Sequence, residues 1–427
     1  MERRDFIKNT TLAGTITLLP GLSSLEAKSI SSVNNDRAMR PVPISKVTKP
    51  LAIAMWDFSW ILRHHKYGEF YDWDKVLEGL AERGYNAIRM DAMPQFVVSE
   101  KDGGIVNEFR SPKKDWNPCL WGNDYTMDFR PREALLEFLP KCKEYGIQVG
   151  LATWFSHHGI MRDIFNEEGG LQRAWTETLE FLQKHDLLDN IIYVDLLNEY
   201  PNNHGFDWLK QELNKRSDAK KFVLNNPNAH LPDNFKPKKN DNRLYVAYYN
   251  DFANNLIAAL KLKFPDIDFF ASFDSGLENI DLKNHAALDY HIWFHHNSDF
   301  YQIVSDAGNT NIDRDLRINQ NEMLTYFNDN RVKLLSWMDG RLSSIAAKAK
   351  ENGIFCGNTE GWGPIGWFDH PDLNWNWVKE SAEICVDLAK KHEEYKFICT
   401  SNFTHPQHRG MWEDIKWHRE ITRIIRS

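Results

Sequence analysis

Cysteine is scarce in this chain, with five in 427 residues: Cys119, Cys142, Cys356, Cys385 and Cys399, and no CxxC spacing among them. An odd and scattered set supports neither a disulfide framework nor a zinc knot, so buried thiols are expected, and Cys356 and Cys399 form the one pair that neighbouring strands could bring together. Long runs of one charge sign are also missing. The formal net charge of −8 is spread along the chain, which argues against nucleic acid or an anionic membrane surface as partner. No apolar run has the roughly 20 residues of a membrane-spanning helix, so the mature chain is expected to carry no integral membrane segment. What remains is an ordinary globular composition, 42% hydrophobic and 26% charged, which suits a well-buried core and a neutral ligand.

Aromatic residues are plentiful. Sixteen Trp contribute to an aromatic share of 13%, and indole faces suit the apolar C–H faces of sugar rings, although most such rings go to the core. At the amino terminus Arg3-Arg4-Asp5-Phe6-Ile7-Lys8 precedes a moderately apolar stretch, Thr10 to Leu19, of the length of a signal h-region. This resembles a bacterial twin-arginine export signal, with Glu2 where Ser or Thr is usual. Residues 1–27 are therefore expected to be an export signal, residues 28–49 a polar linker, and the mature protein periplasmic or extracellular.

From Leu51 onward a short apolar run, a polar loop and an amphipathic helix alternate repeatedly, the pattern of a parallel sheet with helices outside. The strands read as Leu51 to Trp56, Ala87 to Met90, Ile147 to Thr153, Ile191 to Leu197, Ile267 to Phe273, Leu288 to Phe294, Ile354 to Asn358 and Phe397 to Ser401. Eight units predict a single α/β domain over residues 50–427, a (β/α)₈ TIM barrel, with extended loops after strands 2 and 4. The helix over Met323 to Lys350 is expected to break near Asp339-Gly340.

In such a barrel the chemistry sits at the carboxyl ends of the strands. That rule selects Trp56 and Asp57, Arg89 and Asp91, Trp154, His157 and His158, Asn198 and Glu199, Asp274, His291 and Trp293, Glu360 and Trp362, and Asn402 and Phe403. Leu196-Leu197-Asn198-Glu199 and Gly357-Asn358-Thr359-Glu360-Gly361-Trp362 resemble the strand-four and strand-seven segments of glycoside hydrolase clan A, in particular the cellulase-like enzymes around family 5. The resemblance covers about Leu51 to Ser427. It implies Glu199 as acid/base, Glu360 as nucleophile, Asn198 on the sugar 2-hydroxyl, Arg89 beside the nucleophile, and His291 as the strand-six residue near it. A retaining mechanism holds two carboxyls about 5–5.5 Å apart, one attacking the anomeric carbon and the other shuttling the proton. The acid is expected to be held protonated and the nucleophile ionised.

The same face suggests His157 or His158 as a sugar hydroxyl partner, and Trp56, Trp60, Trp154, Trp293 and Trp362 as stacking platforms, Trp362 best placed. Two-carboxylate chemistry calls for no cofactor. Metal is disfavoured because adjacent residues of the His64-His65, His157-His158 and His295-His296 pairs point to opposite sides of extended chain. Ser401-Asn402-Phe403 stands where family 5 enzymes commonly carry Trp, which leaves sugar and linkage open. The expected partner is an oligosaccharide or polysaccharide, and the rival reading is a carbohydrate-binding barrel that has lost catalysis.

Overall fold

A computed structural model describes residues 42–113, 125–201, 242–305, 317–363 and 369–427. The expected export signal, the first part of the linker, Cys119 and most of the insertion after the fourth barrel strand lie outside the described residues. The compact unit runs from Arg40 to Ser427.

Ten strands are described: β1 Leu51–Asp57, β2 Ala87–Asp91, β3 Phe109–Ser111, β4 Met127–Phe129, β5 Gln148–Ala152, β6 Ile191–Asp195, β7 Phe269–Phe270, β8 Ala287–Asp289, β9 Phe355–Asn358 and β10 Tyr395–Cys399. Eight form one parallel sheet in the order β7-β6-β5-β2-β1-β10-β9-β8. Between its ends, Ala286 N–H donates to the Phe269 carbonyl at 2.9 Å and His291 N–H to the Phe273 carbonyl at 2.7 Å, so the sheet curls back on itself as the expected (β/α)₈ barrel. β3 and β4 pair separately as an antiparallel hairpin within the loop after β2.

Strand burial explains the uninterrupted apolar runs: all seven residues of β1 and all five of β2 and of β6 are buried, as a sheet covered on both faces requires. Inside the barrel Tyr193, Phe270 and Phe397 pack with ring centroids 4.7–6.1 Å apart. Gly150 and Gly357 admit them, since a Cβ at either glycine would collide with the Tyr193 or Phe397 ring. The helices follow local signals. Asp72 caps Trp73–Glu82 by accepting from the Lys75 N–H at 3.1 Å, and Gly84 ends that segment at φ +83°. Pro131 opens Pro131–Glu144.

Three boundaries differ from expectation. The helix Arg331–Glu351 runs unbroken through Asp339-Gly340, and the interruption falls at Asn330; a helical Gly costs only about 1 kcal/mol, too little to break a packed helix. The fifth strand shrinks to Phe269–Phe270. The last residues of the expected linker are part of the body: Ile44 is fully buried, and the Ser45 N–H donates to Asp268 at 2.9 Å. Cys142, Cys356, Cys385 and Cys399 are all buried free thiols, Cys356 and Cys399 on neighbouring β9 and β10.

Candidate active site

Strands β1 and β2 contribute Asp57 and Arg89, and the segments following the other strands contribute Trp154, Asn198, Glu199, His291, Glu360 and Asn402 to the same end of the barrel. Several residues just past strand ends hold positive φ: Asp57 (40°), Met93 (53°), Phe155 (48°), His158 (44°) and Glu199 (48°). Non-glycine residues in this region carry strain, which persists where surrounding structure enforces it. At Glu199 the enforcement is visible, because its N–H donates to the Ser272 hydroxyl at 3.0 Å, and Ser272 is itself bound to buried Asp195.

Arg89 organises the site. It is fully buried and donates from Nη1 to Glu360 Oε1 at 2.8 Å and to Asp57 Oδ1 at 3.0 Å. Its Nη2 donates to Asn198 Oδ1 and lies 3.4 Å from Asp195 Oδ2. Glu360 also accepts from Asn402 Nδ2 at 3.3 Å, and Asn402 Oδ1 accepts from the Gly361 N–H at 2.8 Å, so both ends of this amide are used in presenting Glu360.

His291 joins the two glutamates. Its Nδ1 lies 3.2 Å from Glu199 Oε1 and 3.6 Å from Glu360 Oε1, and its Nε2 is 3.1 Å from the Thr359 hydroxyl. That hydroxyl donates to Asp289 at 2.6 Å, so it accepts from Nε2–H. One oxygen of each glutamate and a His291 nitrogen lie within 4.8 Å of one another. The Glu360 side chain keeps 4% of its surface, whereas Glu199 keeps 21% and reaches solvent.

Two cations, Arg89 and His291, thus face five carboxyls: Asp57, Asp195, Asp289, Glu199 and Glu360. Burial opposes the His291 charge, but Glu360, Asp289 and Glu199 outweigh it and raise its pKa well above the usual value. Burial pushes Glu360 up to about 7, with Glu199 and Asp57 adding to the rise against His291 and Arg89. For Glu199 burial acts in the same direction, but the His291 hydrogen bond and charge prevail and hold it below the ordinary value. This reverses the expected order of the two carboxyls: in the free site the shared proton favours Glu360. Arg89 cannot keep Glu360 ionised alone because it is divided among several carboxylates.

The tryptophans divide sharply. Trp154 is partly exposed at the end of β5, and its Nε1–H donates to Asp57 Oδ2 at 2.5 Å. Trp56, Trp60 and Trp362 have no exposed surface and Trp293 keeps 2%, so the expectation of platforms there is corrected. Trp56 packs on Phe70 and Phe138, Trp60 stacks on Phe138, and the Trp362 indole donates to the Cys399 carbonyl at 3.1 Å. Strand-end position does not reveal whether a ring turns toward the mouth or the core. His157 is exposed, while His158 is buried against Phe58 and its sugar-partner expectation falls away. Phe403, at the place of the commonly expected Trp, is buried too. Sequence reasoning gave no role to Asp195 and Asp289; the available signal was a carboxylate closing an apolar strand, which demands a buried partner.

A family model for sugar-binding cellulase-like proteins matches residues 53–426. Among solved structures, a Parabacteroides distasonis protein provisionally named a glycoside hydrolase is 29% identical, with a TM-score of 0.71, covering 89% of this chain and 94% of that one. The Clostridioides difficile cellulose synthase subunit Z (12% identity, TM-score 0.48, coverage 88% and 100%) and a Thermotoga petrophila endo-β-1,4-mannanase (11%, 0.45, 90% and 78%) lie at distances where no property transfers. No curated protein sequence matches the chain.

Proposed function

The chain belongs to the sugar-binding cellulase-like family, and from that premise we propose that it hydrolyses a β-glycosidic bond in an oligo- or polysaccharide with retention of configuration. The observation that carries this reading is the pair Glu199 and Glu360, with oxygens within 4.8 Å, one buried under Arg89 and Asn402 and the other open to solvent. The provisional name of the Parabacteroides distasonis relative supports it.

In this reading a carboxylate oxygen of Glu360 attacks the anomeric carbon while the bond to the leaving oxygen breaks and Glu199 gives that oxygen its proton. Glu199 then takes a proton from water, which attacks the same carbon and releases Glu360. Attack needs Glu360 ionised and the proton on Glu199, so the proton that the free site holds on Glu360, raised to about 7, has to pass to Glu199 once the sugar is bound. Arg89, Asn402 and His291 hold the two carboxyls in register and compensate charge on Glu360 as it leaves and returns.

The roles are separable by alanine variants. Glu199→Ala is expected to keep glycosylation of an activated aryl glycoside and to yield a β-glycosyl azide when azide is added. Glu360→Ala should lose at least about a hundredfold on every substrate, with azide giving the α-product by direct displacement. Products of the reverse configuration would exchange the assignments; sugar binding without turnover in the wild type would favour a binding barrel.

Export remains part of the proposal on the strength of Arg3-Arg4 and the apolar stretch after them. Amino-terminal sequencing of native protein is expected to find a start near residue 28. An intact Met1 in soluble cytoplasm would refute export.

A further inference from the structure

Asp57 is the last residue of β1. It is fully buried, its φ is 40°, and both oxygens are spent on groups of the site: Oδ1 accepts from Arg89 Nη1 at 3.0 Å and Oδ2 from Trp154 Nε1 at 2.5 Å. The same Arg89 nitrogen donates to Glu360 at 2.8 Å. The two hydrogens of one guanidinium NH2 group therefore go one to each carboxylate, so Asp57 and Glu360 share the same end of the Arg89 charge.

We propose that Asp57 is a positioning residue that divides the Arg89 guanidinium between itself and Glu360 and, through its second oxygen, fixes the ring of Trp154 at the sugar-binding mouth. The inference rests on the hydrolase reading for its first half only. Glu360 is faced by Arg89 from β2, Asp57 from β1, Glu199 beyond β6, His291 beyond β8 and Asn402 beyond β10. Asp57 in turn faces Arg89, Trp154, His291, Asp195 and Asp91. Burial raises Asp57 itself, while Arg89 and the Trp154 hydrogen bond favour its charged form, and that charge adds to the rise of the Glu360 carboxyl, so the glutamate pair keeps its proton to higher pH. Its second contact restrains a partly exposed indole, the one tryptophan of the predicted platforms that keeps more than a trace of open surface.

Asp57→Ala removes both effects, and two readouts separate them. The alkaline limb of kcat/KM is expected to move toward lower pH by about half a unit or more, because Glu360 then loses a neighbouring carboxylate while keeping its bond to Arg89, and the pair gives up its proton earlier. In calorimetry with a cello- or manno-oligosaccharide the variant should bind severalfold more weakly, and the Asp57→Ala/Trp154→Phe double variant should bind no more weakly than Trp154→Phe alone. An unmoved alkaline limb, or affinity losses that simply add, overturns the proposal. If Asp57→Ala does not fold, Asp57→Asn carries both readouts, since it removes the charge and puts an NH2, which cannot accept, in place of one of the two oxygens that Arg89 and Trp154 use. A wild type that binds the sugar and cleaves nothing refutes the hydrolase reading, and the calorimetric cycle still judges Asp57.

Discussion

Two buried histidine environments sit at the same end of the barrel and behave in opposite ways. His291, beyond β8, and His405 and His408, beyond β10, all have no exposed surface. His405 and His408 lie 5.4 Å apart among the rings of Phe70, Trp375 and Phe403, and burial lowers both, His405 to about 3, with Arg63 adding to the effect. His291 meets the same desolvation but is ringed by Glu199, Glu360 and Asp289 and is raised instead. Burial alone therefore does not set the charge of an imidazole. The carboxylates beside it do, and among the described residues none is named as acting on His405 or His408.

The comparison can be broken most severely at His291. His291→Asn removes the cation that opposes protonation of both glutamates, so kcat/KM is expected to fall by about 10²–10³-fold and its alkaline limb to move upward, opposite to Asp57→Ala. A variant with wild-type rate and profile would show that His291 is neutral and only packs.

The neutral set sharpens the contrast through stability. His285, His405 and His418 are lowered to about 3 by burial, against an ordinary value of 6.5. The unfolded chain binds protons below 6.5 that the folded chain refuses, so stability is full above that pH and drains as pH falls toward 3. Each such imidazole contributes a slope of at most about 1.4 kcal/mol per pH unit. His291 acts in the other direction, its contribution being present below 6.5 and lost as pH rises through its raised value. Urea midpoints measured from pH 7 to pH 5 should therefore drop; a flat series would mean that these rings find charged partners or water.

Much of the barrel was legible beforehand because period and punctuation act locally. Buried parallel strands read as unbroken apolar runs, and the alternation of apolar run, polar loop and amphipathic helix recurs along the chain. Glu199, Glu360, Arg89, Asn198 and His291 were legible as strand-end positions, and the structure brings them together. Trp56, Trp60, Trp293 and Trp362 were misread, since a tryptophan at a strand end serves core and mouth equally well in the linear pattern. Asp195 and Asp289 went unnoticed for a related reason: their partners, Arg89, Ser272, His291 and Thr359, come from other strands and loops.

The linear order of residues thus determined the eight-unit repeat and the strand-end positions of Glu199 and Glu360, because each depends on spacing along one strand or helix. Closure of the sheet decided the rest. It set how five carboxyls share Arg89 and His291, which glutamate holds the proton in the free site, and which indole remains open, all of which depend on distances between chains far apart in sequence and on the low dielectric that burial creates around them.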